Sequence, residues 1–598
     1  MVRSNGSKKT ERIEKCMVRF PNRRRSFFIH FFLVCLLTVI TLLPFAINLG
    51  DGFVSDDWEF LHTVVAGRQP LSHYFLTNVV GGHDGGTYRP LVNVFWHSAY
   101  TVFGLHPFGY HLTTTLLHLL NTFLVGLFIY LFLDRLESLW RIIGAYSGAV
   151  VFALLPNHAE AVSWISTIND TLATSFFLLA LLTFIMFSRT SVWKKWVWLF
   201  ASFVCFALAL LTKEVALVFP GIVLIWTMFR CHEKFSMSGV PRSLFEYGKS
   251  LLSEAGRTLP YFFLLFGYVL ARWQAIGLLT SDYAHVLVVT PRIVFRAVLS
   301  NMISHVLVGN ERVWVTLRLF DHPIGVFFLM VFVVCTVWYW LPKHLRVRFV
   351  ELCLFWIASF IPVMTFAVST SMLYLSEEGG RFGYLPSVFF AGLVGLLIAA
   401  FLSRYADKKI PIVFGMGIFL AICGFLSCSL ITKTWQWHDA SHLAATSLDQ
   451  AARAVSSGQY DGFVIIGVPD TWHGAFVFRN GFRQALEFAT GKKHDSILVP
   501  IKTRATSEQK TLVTRLSTST FLYTMTSGLP NFMSLWAGSS TDLSAELLVP
   551  LLDRSDDVLT GSGVRVELSK SFIQINAEKQ KSIGLLFFDN GGWQLLRM

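Results

Sequence analysis

An α-helical protein that crosses the membrane about eleven times, followed by a small soluble mixed α/β domain, is the fold class this sequence predicts. Three observations point to it. Of 598 residues, 54% are hydrophobic and only 15% charged, and the mean hydropathy is +0.55, a balance that soluble domains of this length do not show. Apolar stretches close to the roughly 20 residues of a bilayer crossing recur through the first 431 positions. Hydropathy then falls abruptly after Ile431 and stays low to Met598.

The expected crossings are 27–48, 109–133, 142–157, 168–187, 196–212, 214–230, 259–278, 323–341, 349–369, 385–402 and 411–431. The distribution of cations orients them. The tail 1–26 carries Arg3, Lys8, Lys9, Arg12, Lys15, Arg19 and Arg23–Arg25 against Glu11 and Glu14, which places it in the cytoplasm. Alternate loops then hold Arg135 and Arg141, Arg189 to Lys195, Arg230 to Arg257, Lys343 to Arg348, and Arg404 to Lys409. The opposite side collects Asp51, Asp56, Asp57, Glu59, Glu160, Asp170, Asp282, Glu377 and Glu378. The net charge of +13 is therefore mainly a topology signal. Its clustering beside a span suits anionic lipid and argues against nucleic acid.

All eight cysteines lie in the tail, in spans or at the inner end of one, so the outer portion has none to pair. That pattern points to a prokaryotic plasma membrane. The first span is too long for a cleaved signal peptide and is read as retained. Residues 432–598 read as an extracytoplasmic domain. It opens with an amphipathic helix over 440–455, followed by β-like runs at Phe463–Gly467, Ala475–Phe478, Ile497–Ile501, Val564–Leu568 and Gly584–Phe588. Pro291–Leu307 is amphipathic enough to lie flat on the membrane.

Chemistry gathers in the outer loops. Asp56-Asp57 opens the loop 49–108; adjacent acids beside lipid raise each other's proton affinity, which suits a general base, although Asp is also a good helix N-cap. In Tyr88-Arg89-Pro90 the proline restrains the backbone and fixes where a phosphate-binding guanidinium points. His158 and Glu160 offer two metal ligands without a third, so hydrogen bonding in a packed turn is the simpler role for His158. Lys213-Glu214 interrupts an apolar stretch, either as a self-neutralising pair or with Lys213 facing substrate. Before the tenth span, Glu377-Glu378-Gly-Gly-Arg381-Phe-Gly-Tyr384 sets Arg381 and Tyr384 where they offer phosphate or sugar contacts. His106, His111 and His118 read as packing or hydrogen-bonding positions.

Taken in order, Phe53-Val-Ser-Asp-Asp57, Tyr88-Arg-Pro-Leu91, His106-Pro-Phe-Gly-Tyr-His111 with Leu117-His118, Asn157-His-Ala-Glu-Ala-Val-Ser-Trp-Ile165 with Asn169-Asp170, Thr212-Lys-Glu214 and Arg381-Phe-Gly-Tyr-Leu-Pro-Ser387 resemble the GT-C membrane glycosyltransferases. The resemblance is closest to the transmembrane-and-tetratricopeptide protein O-mannosyltransferases. It covers about residues 30–400. Thr167-Ile-Asn-Asp170 stands where that family has a glycine-arginine-aspartate, and Glu378 is displaced from its place beside the arginine. The tetratricopeptide repeats are replaced by 432–598.

The resemblance implies a GT-C fold over 27–431 and an inverting transfer of a mannose-like monosaccharide from a polyprenyl phosphate to an acceptor hydroxyl on protein or glycan. Asp56 would be the base and Asp57 its support, with Arg89, Lys213 and Arg381 on the donor phosphate. Tyr88, His158, Glu160, Asp170, Glu214, Glu378 and Tyr384 would support or bind substrate. It implies no cofactor and no bound metal. A metal-dependent oligosaccharide ligase and a lipid-linked sugar flippase are the alternatives.

Overall fold

The computed structural model describes residues 23–67, 70–76, 79–80, 83–84, 87–190, 193–237, 244–277, 323–361, 380–493, 496–498, 502–503, 511–516, 520–525, 558–561, 564–568, 573–577, 582–589 and 592–597. The basic tail up to position 22, the 291–307 segment and Glu378 lie outside them. A helix stands at each of the eleven expected crossings, the ninth being described only as far as 361. Among the described residues, eight helices are long and apolar enough to span a bilayer, as a multi-pass integral membrane protein requires.

The elements that position the loops are α1 (Arg23–Leu42), α2 (Asp57–Gly67), α3 (Pro90–Phe103), α4 (Pro107–Phe132), α5 (Ser138–Leu154), α6 (His158–Ser163), α7 (Ile168–Arg189), α8 (Lys194–Thr212), α9 (Phe219–Met237), α10 (Leu259–Ile276), α11 (Pro323–Trp340), α12 (Lys343–Ser359), α13 (Tyr384–Arg404) and α14 (Lys409–Ser456). Proline opens α3 and α4 at the first helical position, where a missing amide hydrogen costs nothing and φ is already helical. Helix α5 has only 17 residues, short of a full crossing, and sits deep in the bundle.

Lipid supplies no hydrophobic drive for one helix to join another, so small residues that let backbones touch take over. Gly144 and Gly148 of α5 face Ala391 and Gly395 of α13, both pairs spaced by four. A Cβ on Gly395 would come 2.4 Å from the Gly144 carbonyl oxygen, and one on Gly148 would come 2.7 Å from that of Ala391. Gly395→Val is expected to destabilise the protein by about 1–3 kcal/mol through overpacking, read as a lower melting temperature in detergent.

Beside this seam, α4, α7 and α13 are pinned by a buried polar network. Asn121 donates to the Thr171 carbonyl (2.8 Å) and to the Tyr384 hydroxyl (3.2 Å), and Ser175 donates to Asn121 Oδ1 (2.8 Å). At the other end of α4, Arg348 of α12 reaches Asp134 (2.7 Å) and Glu351 (3.1 Å), while Arg189 holds Asp134 at 3.0 Å.

The sequence places a boundary at 431, but α14 runs straight through it for 48 residues. At 1.5 Å per residue it is about 72 Å long, against roughly 30 Å of hydrocarbon. Its second half buries Ala444, Leu448, Ala451 and Val455, the face expected of an amphipathic helix.

The C-terminal region then supplies β1 (Gly462–Ile466), β2 (Ser496–Leu498), β3 (Thr511–Arg515), β4 (Thr520–Met525), β5 (Val558–Gly561), β6 (Val564–Leu568), β7 (Ile573–Ala577), β8 (Ile583–Asp589) and β9 (Gly592–Arg597). One sheet has the order β9-β8-β1-β2, with β8, β1 and β2 parallel and β9 antiparallel at the edge. The uninterrupted apolar run Phe463–Ile466 suits a central strand covered on both faces, and β1 is buried throughout. A second, antiparallel sheet has the order β5-β6-β7-β4-β3. Gln450 of α14 accepts from the Trp593 amide at 3.2 Å, tying the first sheet to the long helix.

Candidate active site

The two acids of the first loop occupy different surroundings. Asp57 begins α2 and is fully buried. Its Oδ2 accepts from the Val54 amide (3.0 Å); its Oδ1 accepts from the Ser166 amide (2.8 Å) and from the Ser166 hydroxyl. Burial pushes its carboxyl up to about 7 and the neighbouring Asp56 adds to the rise, while the donors from Ser166 and Val54 oppose it. Asp56 is only partly buried; its Oδ1 accepts from Ser55 Oγ (3.1 Å) and from the side-chain amide of Asn480 (2.7 Å). Asp57 is thus the internal tie, and Asp56 is the acid that faces outward.

That tie has a pH signature. The folded Asp57 holds its proton more tightly than the unfolded chain does, so the stability it contributes is complete below about 3.8 and is lost as pH rises through about 7. Three units correspond to ~4 kcal/mol at most. Unfolding measured in detergent between pH 4 and 7 is expected to show falling stability with rising pH, and Asp57→Asn should flatten that slope.

The expected phosphate ligands each lean on a carboxylate. Arg89, at the head of α3, places Nε and Nη2 each 3.0 Å from Glu214 Oε2. Lys213 Nζ lies 2.6 Å from both oxygens of Asp170 and 3.4 Å from Asn169 Oδ1. Arg381 bonds Glu160 through its guanidinium and, at 3.1 Å, through its backbone amide. Lys213 and Glu214 therefore do not neutralise each other. Adjacent in sequence, they turn to different partners because the extended backbone at Lys213 (φ −159°) separates them. Burial lowers the Lys213 ammonium to about 8; Asp170 pulls it back up, and the positive charges of Arg89 and Arg381 lower it further. The three cations are near enough to feel one another.

A fourth cation escaped the sequence reading. Arg272 of α10 is 2% exposed and bonds Glu214 Oε1 at 3.0 Å, so Glu214 is pinched between two guanidinium groups. A lone arginine inside an apolar span was the signal, since such a charge usually faces a cavity or a partner. Among the described residues, four cations (Arg89, Lys213, Arg272, Arg381) are paired with three acids (Asp170, Glu160, Glu214) in this group.

One segment, 157–170, meets the acid loop and two of the cations. Ser166 meets Asp57, Glu160 meets Arg381, Asp170 meets Lys213, and Ser163 donates to Asn48 Oδ1 at 2.9 Å just before the acid loop. The Arg381 guanidinium carbon lies 5.1 Å from the Trp164 ring centroid, 4.8 Å from that of Phe382 and 6.0 Å from that of Phe476. Gly380 packs so closely that a Cβ would sit 2.7 Å from the Asn157 carbonyl oxygen. Helix α14 backs the loop: Asn48 donates to the Thr434 carbonyl (3.0 Å), His438 Nδ1 lies 2.6 Å from Asp51 Oδ1, and Ser441 Oγ accepts from the Gly52 amide (2.7 Å).

Other expected site residues are placed inside the protein. Tyr88 is buried, its hydroxyl donating to the Phe75 carbonyl at 3.0 Å and its ring 6.0 Å from Tyr268. Tyr384, expected to contact phosphate or sugar, is instead fully buried, and its hydroxyl lies 2.8 Å from His118 Nδ1. His158 Nε2 lies 2.8 Å from Ser387 Oγ, in a packed turn against Phe152 and Tyr384. Among the described residues, no group of three His, Cys, Asp or Glu is arranged to hold a metal ion.

No family profile matches the chain. Sequence comparison does find relatives: protein O-mannosyl-transferase TMTC2 of Homo sapiens is 30% identical over 194 residues, 31% of this chain and 22% of that one. The chain is similar to protein O-mannosyltransferases. The Xenopus laevis tmtc2 protein is 30% identical over 208 residues (33% and 24% of the two chains), and protein O-mannosyl-transferase Tmtc1 of Drosophila melanogaster is 30% identical over 177 (28% and 20%). The chain thus spans about a fifth of the length of the curated relatives it matches. Among solved structures, ArnT from Cupriavidus metallidurans bound to undecaprenyl phosphate overlaps 77% of this chain and 85% of its own, at 14% identity and a TM-score of 0.38.

Proposed function

We propose that this protein is a GT-C membrane glycosyltransferase that moves a mannose-like sugar from a polyprenyl phosphate to an acceptor hydroxyl, with inversion and without a metal or cofactor. The observation that carries this is the single segment 157–170, which holds Asp57, next to the partly exposed Asp56, through Ser166, and holds the cations Arg381 and Lys213 through Glu160 and Asp170. In the proposed reaction, Asp56 takes the proton from the acceptor hydroxyl as its oxygen bonds to the anomeric carbon. The bond from that carbon to the phosphate oxygen breaks, and the polyprenyl phosphate leaves with the electron pair.

A sugar phosphodiester brings one negative charge and its leaving phosphate monoester develops a second. The clustered cations suit the first, and fixed cations shielded from bulk water stabilise the second far better than water does. Arg89, Lys213, Arg272 and Arg381 are held by carboxylates, so their positions are set before the donor arrives. The acceptor is a protein or glycan hydroxyl, and the names of the relatives, protein O-mannosyl-transferases, support the first.

This reading keeps the basic tail in the cytoplasm and the C-terminal region outside, and the placement of the cysteines fits a prokaryotic plasma membrane. The decisive experiment incubates purified protein with polyprenyl-phosphate sugars radiolabelled in the sugar. Label passing from lipid to an acceptor hydroxyl supports the reading. Movement of intact donor between leaflets without its consumption would replace it with a flippase, and loss of transfer on chelation would favour a metal-dependent ligase.

A further inference from the structure

We infer that Asn480, in the C-terminal region and 424 positions from Asp56, is a positioning residue that orients the Asp56 carboxylate for proton transfer. This rests on the reading of Asp56 as the base. The side-chain amide of Asn480 donates to Asp56 Oδ1 at 2.7 Å, and Ser55 Oγ donates to the same oxygen at 3.1 Å. Two donors on one oxygen fix the rotation of the carboxylate about its last bond. Oδ2 meets no donor among the described residues and is left to receive a proton.

The surrounding backbone is built around that contact. Ser55 has φ +49°, a left-handed conformation rarely adopted by a residue with a side chain. Such strain persists only where neighbours over-determine it. Here the Ser55 amide donates to the Val477 carbonyl at 2.9 Å, and the Asn480 amide donates to Ser55 Oγ at 3.3 Å. Gly481, at φ +76°, packs so closely that a Cβ would lie 2.4 Å from the Ser55 carbonyl oxygen. The same short segment sends Phe476 toward the Arg381 guanidinium and edge-on to Trp164, at 4.7 Å between ring centroids. Residues 476–481 thus touch both the acid and the phosphate side of the proposed site. The membrane bundle alone would leave Asp56 without its amide donor.

The test uses the full-length protein in detergent with labelled donor, measuring kcat, donor KM and melting temperature together. Asn480 is exposed, so Asn480→Ala is expected to melt as wild type does, while kcat falls by up to about 100-fold, the scale of a displaced reacting group, and donor KM holds. Asn480→Gln, which keeps an amide donor on a longer arm, should recover part of the loss. Asn480→Asp preserves size but turns a like charge on Asp56, and should fall at least as far as the alanine variant. It tests the same bond if the alanine variant does not accumulate. Wild-type kcat in Asn480→Ala, or a loss confined to melting temperature and KM, overturns the inference. Asp56→Asn is assayed alongside: if it remains active, the reading of Asp56 as base fails, a result distinct from failure at Asn480.

Discussion

Asp56→Asn is expected to lower kcat by about 10²- to 10⁴-fold, the usual contribution of a positioned general base, with donor KM and melting temperature close to wild type. The asymmetry of the acid pair makes this sharp. Asp56 is partly exposed and bonded through one oxygen to Ser55 and Asn480, so the amide replacement fits without burying an unsatisfied group. Asp57→Asn should behave oppositely. An asparagine offers a single acceptor oxygen where Asp57 receives Val54 and Ser166 on different oxygens, so one amide hydrogen loses its partner at a cost of about 1–3 kcal/mol. Single-turnover assays and thermal melts on both variants separate the two acids. Equal loss of activity with equal loss of stability would merge them.

The second large effect is expected at Glu214. Glu214→Gln removes the charge that Arg89 and Arg272 both bond, and Arg272 is only 2% exposed. Removing one partner from a buried ionic cluster costs about 3–5 kcal/mol. The melting temperature in detergent should drop accordingly, and donor at high concentration should restore part of it, because its phosphate supplies the missing negative charge. Recovery with a polyprenyl phosphate and none with the matching alcohol would place the phosphate beside Arg89 and Arg272. A melting temperature unchanged from wild type would contradict the pinched arrangement.

Much of the scaffold was legible in the order of residues. The recurrence of apolar runs placed helices at all eleven expected positions, because a backbone in lipid has no other way to satisfy its own polar groups. The motifs around Asp56, Arg89, Glu160, Asp170, Lys213 and Arg381 were also visible, as polar groups set where hydrocarbon makes them costly. What could not be read was which charge meets which. Lys213 and Glu214 look like one pair, yet Asp170 lies 43 positions from Lys213, and Arg272 lies 58 from Glu214. Hydropathy carries no record of such long-range partners. The burial of Asp57 depended in the same way on Ser166, 109 positions on, and the contact from Asn480 on a helix that ignores the hydropathy boundary.

That uninterrupted helix has a mechanical consequence. A continuous α14 acts as a rigid mast, fixing both the height and the facing of everything mounted on its far end. One added residue beyond the bilayer turns the cargo by about 100° and lifts it by about 1.5 Å, whereas seven restore the facing to within about 20° but raise it by about 10 Å. Neither change leaves Asn480 over the acid loop. The length of this helix is therefore a dimension that evolution can alter only together with the loop beneath it.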